Sequence, residues 1–104
     1  MLTSSRIAAF HEAGVADAIA ALANVLDIGS RKHPHQEWRL LSDRQLFDHA
    51  RDHFDHAERL DAETGEPELI NAIARLTMIG QRWIEERGRQ QFVAHLATED
   101  DGNG

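Results

Sequence analysis

The chain has 104 residues, with eighteen Asp and Glu against eleven Lys and Arg, a formal charge of −7 and 41% hydrophobic residues. That length holds about one small domain with one core, and the mix suits a folded soluble chain rather than a disordered one. It excludes a membrane helix, since no apolar run approaches about 20 residues, and it disfavours a general nucleic-acid binder, because an acidic chain repels phosphates unless its few cations cluster.

Read in order, the chain is a series of helices with marked breaks. Thr3, Ser4 and Ser5 are capping residues, and from them an alanine-rich segment runs to Ile28. Val15, Ile19, Leu22 and Leu26 recur in it at helical spacing, forming one apolar stripe. Gly14 divides a short lead-in from the main helix, and Gly29 is placed to end it. Residues 30–41 have no period and contain Pro34, so a loop is expected; with Arg31, Lys32 and Arg39 beside Trp38 it is the one concentrated basic patch. Ser42 and Gln45 form a capping box for a second helix, predicted to run to about Ala62 or Thr64 and to end at Gly65. Pro67 suits the first turn of a third helix, on which Leu69, Ile73, Leu76, Gly80 and Trp83 line one face. Gly88 is expected to break that helix, leaving a short C-terminal helix over 89–97 and a disordered acidic tail over 98–104. The fold expected is all-α: a small bundle of three main helices plus a short C-terminal one, a single domain over 1–97, completed by assembly into a homodimer or tetramer. Without cysteine, and with no basic stretch leading into an apolar one at the start, the expected location is cytoplasmic.

The residues that carry chemistry lie on the second predicted helix. At about 100° per residue, Leu46, Phe47, Ala50, Phe54, Ala57 and Leu60 share a face that also takes in His53 and Asp61, with Glu58 at its edge. A carboxylate turned toward a core must be paired, protonated or bound to a cation. Glu58 and Asp61 are three apart, and on a helix they would share one turn, where oxygen ligands can hold a hard divalent ion. Two acids rarely complete such a site. Asp27, beside the basic loop, is the nearest third acid, though it lies well off its helix's apolar stripe. The bland reading is surface charge. His49, His53 and His56, among seven histidines, offer a weaker zinc reading. Trp38 and Trp83 read first as core aromatics and only then as nucleobase platforms.

The run GSRKHPHQEW (residues 29–38), a histidine-bearing helix and the run AERLDAETGEPEL (residues 57–69) together resemble the dATP/dGTP diphosphohydrolase N-terminal family, phage and bacterial all-α nucleotide pyrophosphohydrolases related to the MazG-like enzymes. The resemblance spans about residues 21–83. It implies cleavage of a nucleoside triphosphate between its α and β phosphates, dependent on Mg²⁺ or Mn²⁺, to give monophosphate and pyrophosphate. Carried over, Asp27, Glu58 and Asp61 would be metal ligands, Lys32 would meet the phosphates, and Trp38 would shape the pocket or stack on the base. In an enzyme of this kind His53 is expected as a supporting catalytic group and Arg75 as a second phosphate contact. This chain departs from the family pattern at His33 (usually tyrosine), Glu37 (commonly asparagine), Ala57 (usually glycine), Glu68 and Asn71 (frequently histidines) and Asn24 (an acid). Those departures keep a second expectation open: the same fold as a catalytically degenerate nucleotide-binding module, or one that engages a protein partner, in the manner of a phage accessory or anti-defence protein. A third, mimicry of nucleic acid by the charge of −7, rests on that charge and the acidic tail alone.

Overall fold

The structure, a computed structural model, describes residues 4–103, with side chains described from 6 to 98. It is all-α. Helix α1 is Ser4–Glu12, α2 is Ala16–Lys32, α3 is Asp43–Phe54 and α4 is Glu68–Asn103, with a 3₁₀ turn at Glu37–Leu40 between α2 and α3. Thr3 and Gly104 lie outside the described residues, and of the expected acidic tail all side chains beyond 98 do so as well.

Gly14 separates α1 from α2 with φ at +76°, a conformation that favours glycine. Gly29, in contrast, does not end α2. The helix continues to Lys32 and stops where Pro34 holds His33 out of the helical region, at φ −129° and ψ 73°, its N–H donating to the Gly29 carbonyl. Proline overrode glycine as the stop signal, and the basic residues Arg31 and Lys32 therefore lie in the last turn of a helix rather than in a loop.

The capping box forms as expected: the Gln45 N–H donates to Ser42 Oγ at 3.1 Å, and the Ser42 N–H donates to Gln45 Oε1 at 2.9 Å. The far end of α3 falls short. It closes at Phe54, about two turns before the predicted limit, so Glu58 and Asp61 share no helical turn. Residues 61–66 form a tight turn whose own side chains bind its backbone. Asp61 Oδ1 accepts from the Glu63 N–H (2.9 Å) and Thr64 Oγ1 from the Glu66 N–H (3.2 Å), while Gly65 takes φ +73°. Such Asp and Thr contacts compete with helix formation and won here. The turns between α3 and this segment also cap α4: the Glu68 N–H donates to the Arg59 carbonyl and the Leu69 N–H to the Ala57 carbonyl, which satisfies donors a helix leaves open at its N-terminus.

Helix α4 runs 36 residues without a break at Gly88, so the separate C-terminal helix over 89–97 is one piece with the third. α3 packs chiefly against α4, and α2 packs more lightly against α4. The core they make is thin: Leu46 and Ala50 from α3 against Ile70, Ala72, Ala74 and Ile79 from α4. The face of α4 that was read as apolar, with Leu69, Leu76 and Trp83, is not the buried one; those three are 41–57% exposed. α2 buries no residue fully. The radius of gyration is 17.7 Å, against about 13 Å for a compact chain of this length, because α4 extends past its neighbours.

Two substitutions separate cap from core. Ser42→Ala is expected to cost about 1 kcal/mol and Leu46→Ala about 3 kcal/mol, with urea titration of the helical signal as the measurement.

Candidate functional site

Between α2 and α4 runs a groove with two chambers. The larger, about 750 Å³, is lined by apolar residues such as Val25, Leu26, Trp38 and Met78 and by polar ones that include Glu37, Arg39, His49 and Gln81. The smaller, about 210 Å³, is polar: Lys32, His53, Asp61, Glu63 and Asn71 line it. Gly29, His33, Ala74 and Arg75 border both chambers. The first is within the size range of small-molecule sites, apolar with a few placed polar groups.

Asn71 organises the polar chamber. It is the one buried polar or charged residue among those described, and its Nδ2 donates to Asp61 Oδ2 at 2.9 Å and to Glu68 Oε2 at 3.0 Å. The same Glu68 oxygen lies 2.6 Å from His53 Nδ1. One amide thus ties the turn (Asp61), the start of α4 (Glu68) and, through Glu68, the last turn of α3 (His53). A carboxylate on Nδ1 fixes the ring's orientation and leaves Nε2 as the working nitrogen. Around this hub, Lys32 Nζ reaches Glu63 at 3.0 Å, and Asn24 Nδ2 donates to the Thr64 carbonyl and Glu66 Oε1, so α2 also grips the turn.

The other chamber is braced from α4. Arg39 forms paired bonds to Glu85 at 2.8 and 3.0 Å, and its Nε donates to Gln36 Oε1 at 2.7 Å. Its guanidinium lies 4.5 Å from the Trp38 ring centroid. Arg82 donates to Asp43 at 2.6 Å and to the Leu41 carbonyl at 2.8 Å, and Asp43 also accepts from the Trp83 indole at 2.8 Å.

Of the residues singled out from sequence, the groove brings together Lys32, His53, Asp61 and Arg75 on the small chamber, and Trp38 and Arg75 on the large one. It does not gather all the proposed metal ligands. Asp27 pairs with Arg31 on the surface at 2.7 Å, and Glu58 is exposed in the turns after α3. Among the described residues no group of three or more His, Asp or Glu side chains is disposed to hold a metal ion, and His49, His53 and His56 form no such group. The carboxylates in the chamber's own lining are Asp61 and Glu63, and Glu68 joins Asp61 through the shared Asn71 amide. That donor type suits Mg²⁺, which is commonly held by one or two carboxylates with substrate phosphates and water completing the shell. Sequence reasoning did not select Glu68 or Asn71 as functional; the signal was present in Glu68, four residues before Ala72 on the helical face that the Asp-Ala-Glu-Thr-Gly turn delivers to Asp61. No helix of the described residues is long and apolar enough to cross a membrane.

The family model described as dATP/dGTP diphosphohydrolase, N-terminal, matches residues 5–92, and the chain belongs to that family. No curated protein and no solved structure matches it.

Electrostatics reinforce the braces. The backbone N–H of Glu63 and the Asn71 amide, with His53 and Lys32 nearby, hold the Asp61 carboxyl below its ordinary value. The Trp83 indole and then Arg82 do the same for Asp43. Arg39, with Gln81, brings Glu85 down to about 2. A depressed carboxylate contributes its stability in full above its unfolded value, about 4.3 for Glu, and loses it as pH falls through the folded one. The advantage of the native chain over Glu85→Gln in thermal unfolding is therefore expected to be constant above about pH 5 and to vanish as pH falls toward about 2. Because the pair is exposed, the difference is small.

Proposed function

We propose that the chain is a metal-dependent pyrophosphohydrolase of (deoxy)nucleoside triphosphates, converting a triphosphate and water to a monophosphate and pyrophosphate. The observation that carries this reading is the juxtaposition of an apolar chamber sized for a nucleoside with a polar chamber that holds Asp61, His53 and Lys32, across a shared wall containing Arg75. The base lies in the first, and the phosphates lie in the second. Lys32 turns from Glu63 to the phosphates, and Arg75, bordering both chambers, spans the sugar-to-phosphate junction. Asp61 and Glu68 would hold Mg²⁺ or Mn²⁺, which when bound neutralises triphosphate charge and lowers the pKa of a bound water. With Nδ1 engaged by Glu68, His53 Nε2 accepts the proton of the attacking water as oxygen bonds to the α phosphorus and the bond to the leaving pyrophosphate breaks. Asp27 is committed to Arg31 and Glu58 to solvent, so this reading places the metal on Asp61 and Glu68.

The catalytically degenerate alternative has a specific observation in its favour. Asn24, where the family pattern has an acid, spends its amide on Thr64 and Glu66, so α2 contributes a clasp for the turn and no carboxylate to the chamber.

The chain also works as a homodimer or tetramer on this reading. Support comes from the far half of α4, where Trp83, Ile84, Phe92 and Val93 are 55–61% exposed, apolar side chains that burial against another copy would stabilise.

Two measurements test these statements. Asp61→Asn, with its circular dichroism unchanged, is expected to reduce Mg²⁺-dependent pyrophosphate release from dGTP and dATP by at least about 100-fold; full activity in the variant removes Asp61 from the site, and nucleotide binding without release in the native chain establishes the degenerate reading. Sedimentation equilibrium is expected to give a multiple of the chain mass, reduced toward one copy by Phe92→Glu; a native monomer rejects the assembly.

A further inference from the structure

Among the described residues, four pairs of ionisable side chains join separate elements of the fold. Three of them are fixed by further groups. Gln36 and Gln81 hold Arg39 with Glu85, Asn71 holds Glu68 against His53, and the Leu41 carbonyl and the Trp83 indole hold Arg82 with Asp43. The fourth, Lys32 with Glu63, has no such third partner. Both oxygens of the Glu63 carboxylate face the one ammonium, at 3.0 and 3.2 Å, and the two side chains are about half exposed. Their backbones are anchored: Lys32 ends α2, and the Glu63 N–H donates to Asp61 Oδ1. Both residues line the small polar chamber, so rotation about side-chain bonds is enough to open the pair there. Of the four, this is the contact built to exchange.

We propose that Glu63 is an internal competitor of the phosphate chain: its carboxylate occupies Lys32 in the empty chamber and reclaims it from the pyrophosphate product. This deepens the reading of the groove as a nucleotide site and rests on it. To a lysine ammonium, which acts as a point charge, a carboxylate and a phosphate are alternative anions. Glu63 is tethered to the turn beside Lys32, so its effective concentration there is on the order of mM or more. A free phosphate or pyrophosphate that depends on Lys32 must displace it. An intact triphosphate has further contacts, the base in the large chamber and Arg75 at the junction, and it keeps the pair open. Once the bond to the α phosphorus is cut, pyrophosphate loses that tether and Glu63 competes with it on better terms. An exposed ion pair is weak, so Glu63 biases occupancy and release by a few-fold.

The experiment is calorimetric titration of the full chain at low ionic strength, in Mg²⁺, with inorganic pyrophosphate and separately with the α,β-methylene analogue of dATP. The variants are Glu63→Gln, Lys32→Met and the two combined. Glu66→Gln serves as the control, since it removes the same charge from the same turn but bonds Asn24 rather than Lys32. Glu63→Gln is expected to bind pyrophosphate about 2- to 5-fold more tightly than the native chain, and the gain is expected to disappear in the Lys32→Met background. Glu66→Gln is expected to stay near the native affinity. No gain in Glu63→Gln, a gain that persists without Lys32, or an equal gain in Glu66→Gln each overturn the proposal. Weaker binding of the dATP analogue by Glu63→Gln makes Glu63 a ligand of the nucleotide or its metal, and overturns it as well. Failure of the native chain to bind the analogue overturns the nucleotide reading instead, and is told apart because the pyrophosphate titrations contain no nucleotide.

Discussion

The groove depends on one buried amide shared between two carboxylates. Asn71 faces Asp61 and Glu68, whose like charges would otherwise repel across the start of α4, and it donates one N–H to each. Glu68 in turn positions His53. Three segments, the end of α3, the turn over 61–66 and the first turn of α4, are thereby fixed relative to one another. Removing the amide leaves two part-buried acceptors undersatisfied, at about 1–3 kcal/mol each, in a chain whose apolar core is too small to absorb such losses.

That thin core explains the shape of the groove. α2 is tethered to the rest by polar clasps at Asn24 and Lys32 more than by buried side chains, and small residues, Gly29 and Ala74, stand where it approaches α4. A helix tied to the turn over 61–66 at its middle and its C-terminal end, with small residues facing the space beside α4, leaves a channel. The apolar stripe of α2 and the outer face of α4 are consequently only partly covered by this one chain, and both are surfaces on which further burial would stabilise the fold.

Much of this was legible in the residues, and the failures have physical causes. The helical class followed from the 3.6-residue spacing of Val15, Ile19, Leu22 and Leu26, and the start of α3 from the Ser42 and Gln45 box, both local signals that tertiary structure left intact. Helix ends were read less well. The reach of α3 was overestimated because the heptad-like run through Leu60 continues past the point where Asp61 and Thr64 bind their own backbone, and those contacts outweighed the apolar period. Gly88 was overvalued: a glycine lowers helix propensity by about 1 kcal/mol, too little to stop a helix flanked by strong formers. At the site, the inward lean of Asp61 and His53 was anticipated, although by way of a helix that does not extend so far. Glu68 and Asn71 were missed as partners because their meeting with Asp61 depends on the reversal of the chain between them, which no periodicity encodes.

The two indoles have a consequence of their own. The chain contains no tyrosine and only two tryptophans; Trp38 walls the large chamber beneath the Arg39 guanidinium, and Trp83 donates to Asp43 and meets Phe47 edge-on at 6.4 Å. The tryptophan emission of this protein therefore originates at two places, Trp38 on the large chamber and Trp83 at the contact of α4 with α3. Its wavelength and intensity form a built-in optical gauge in which Trp38 reports whether the large chamber is filled and Trp83 whether α3 remains latched to α4, with no dye attached.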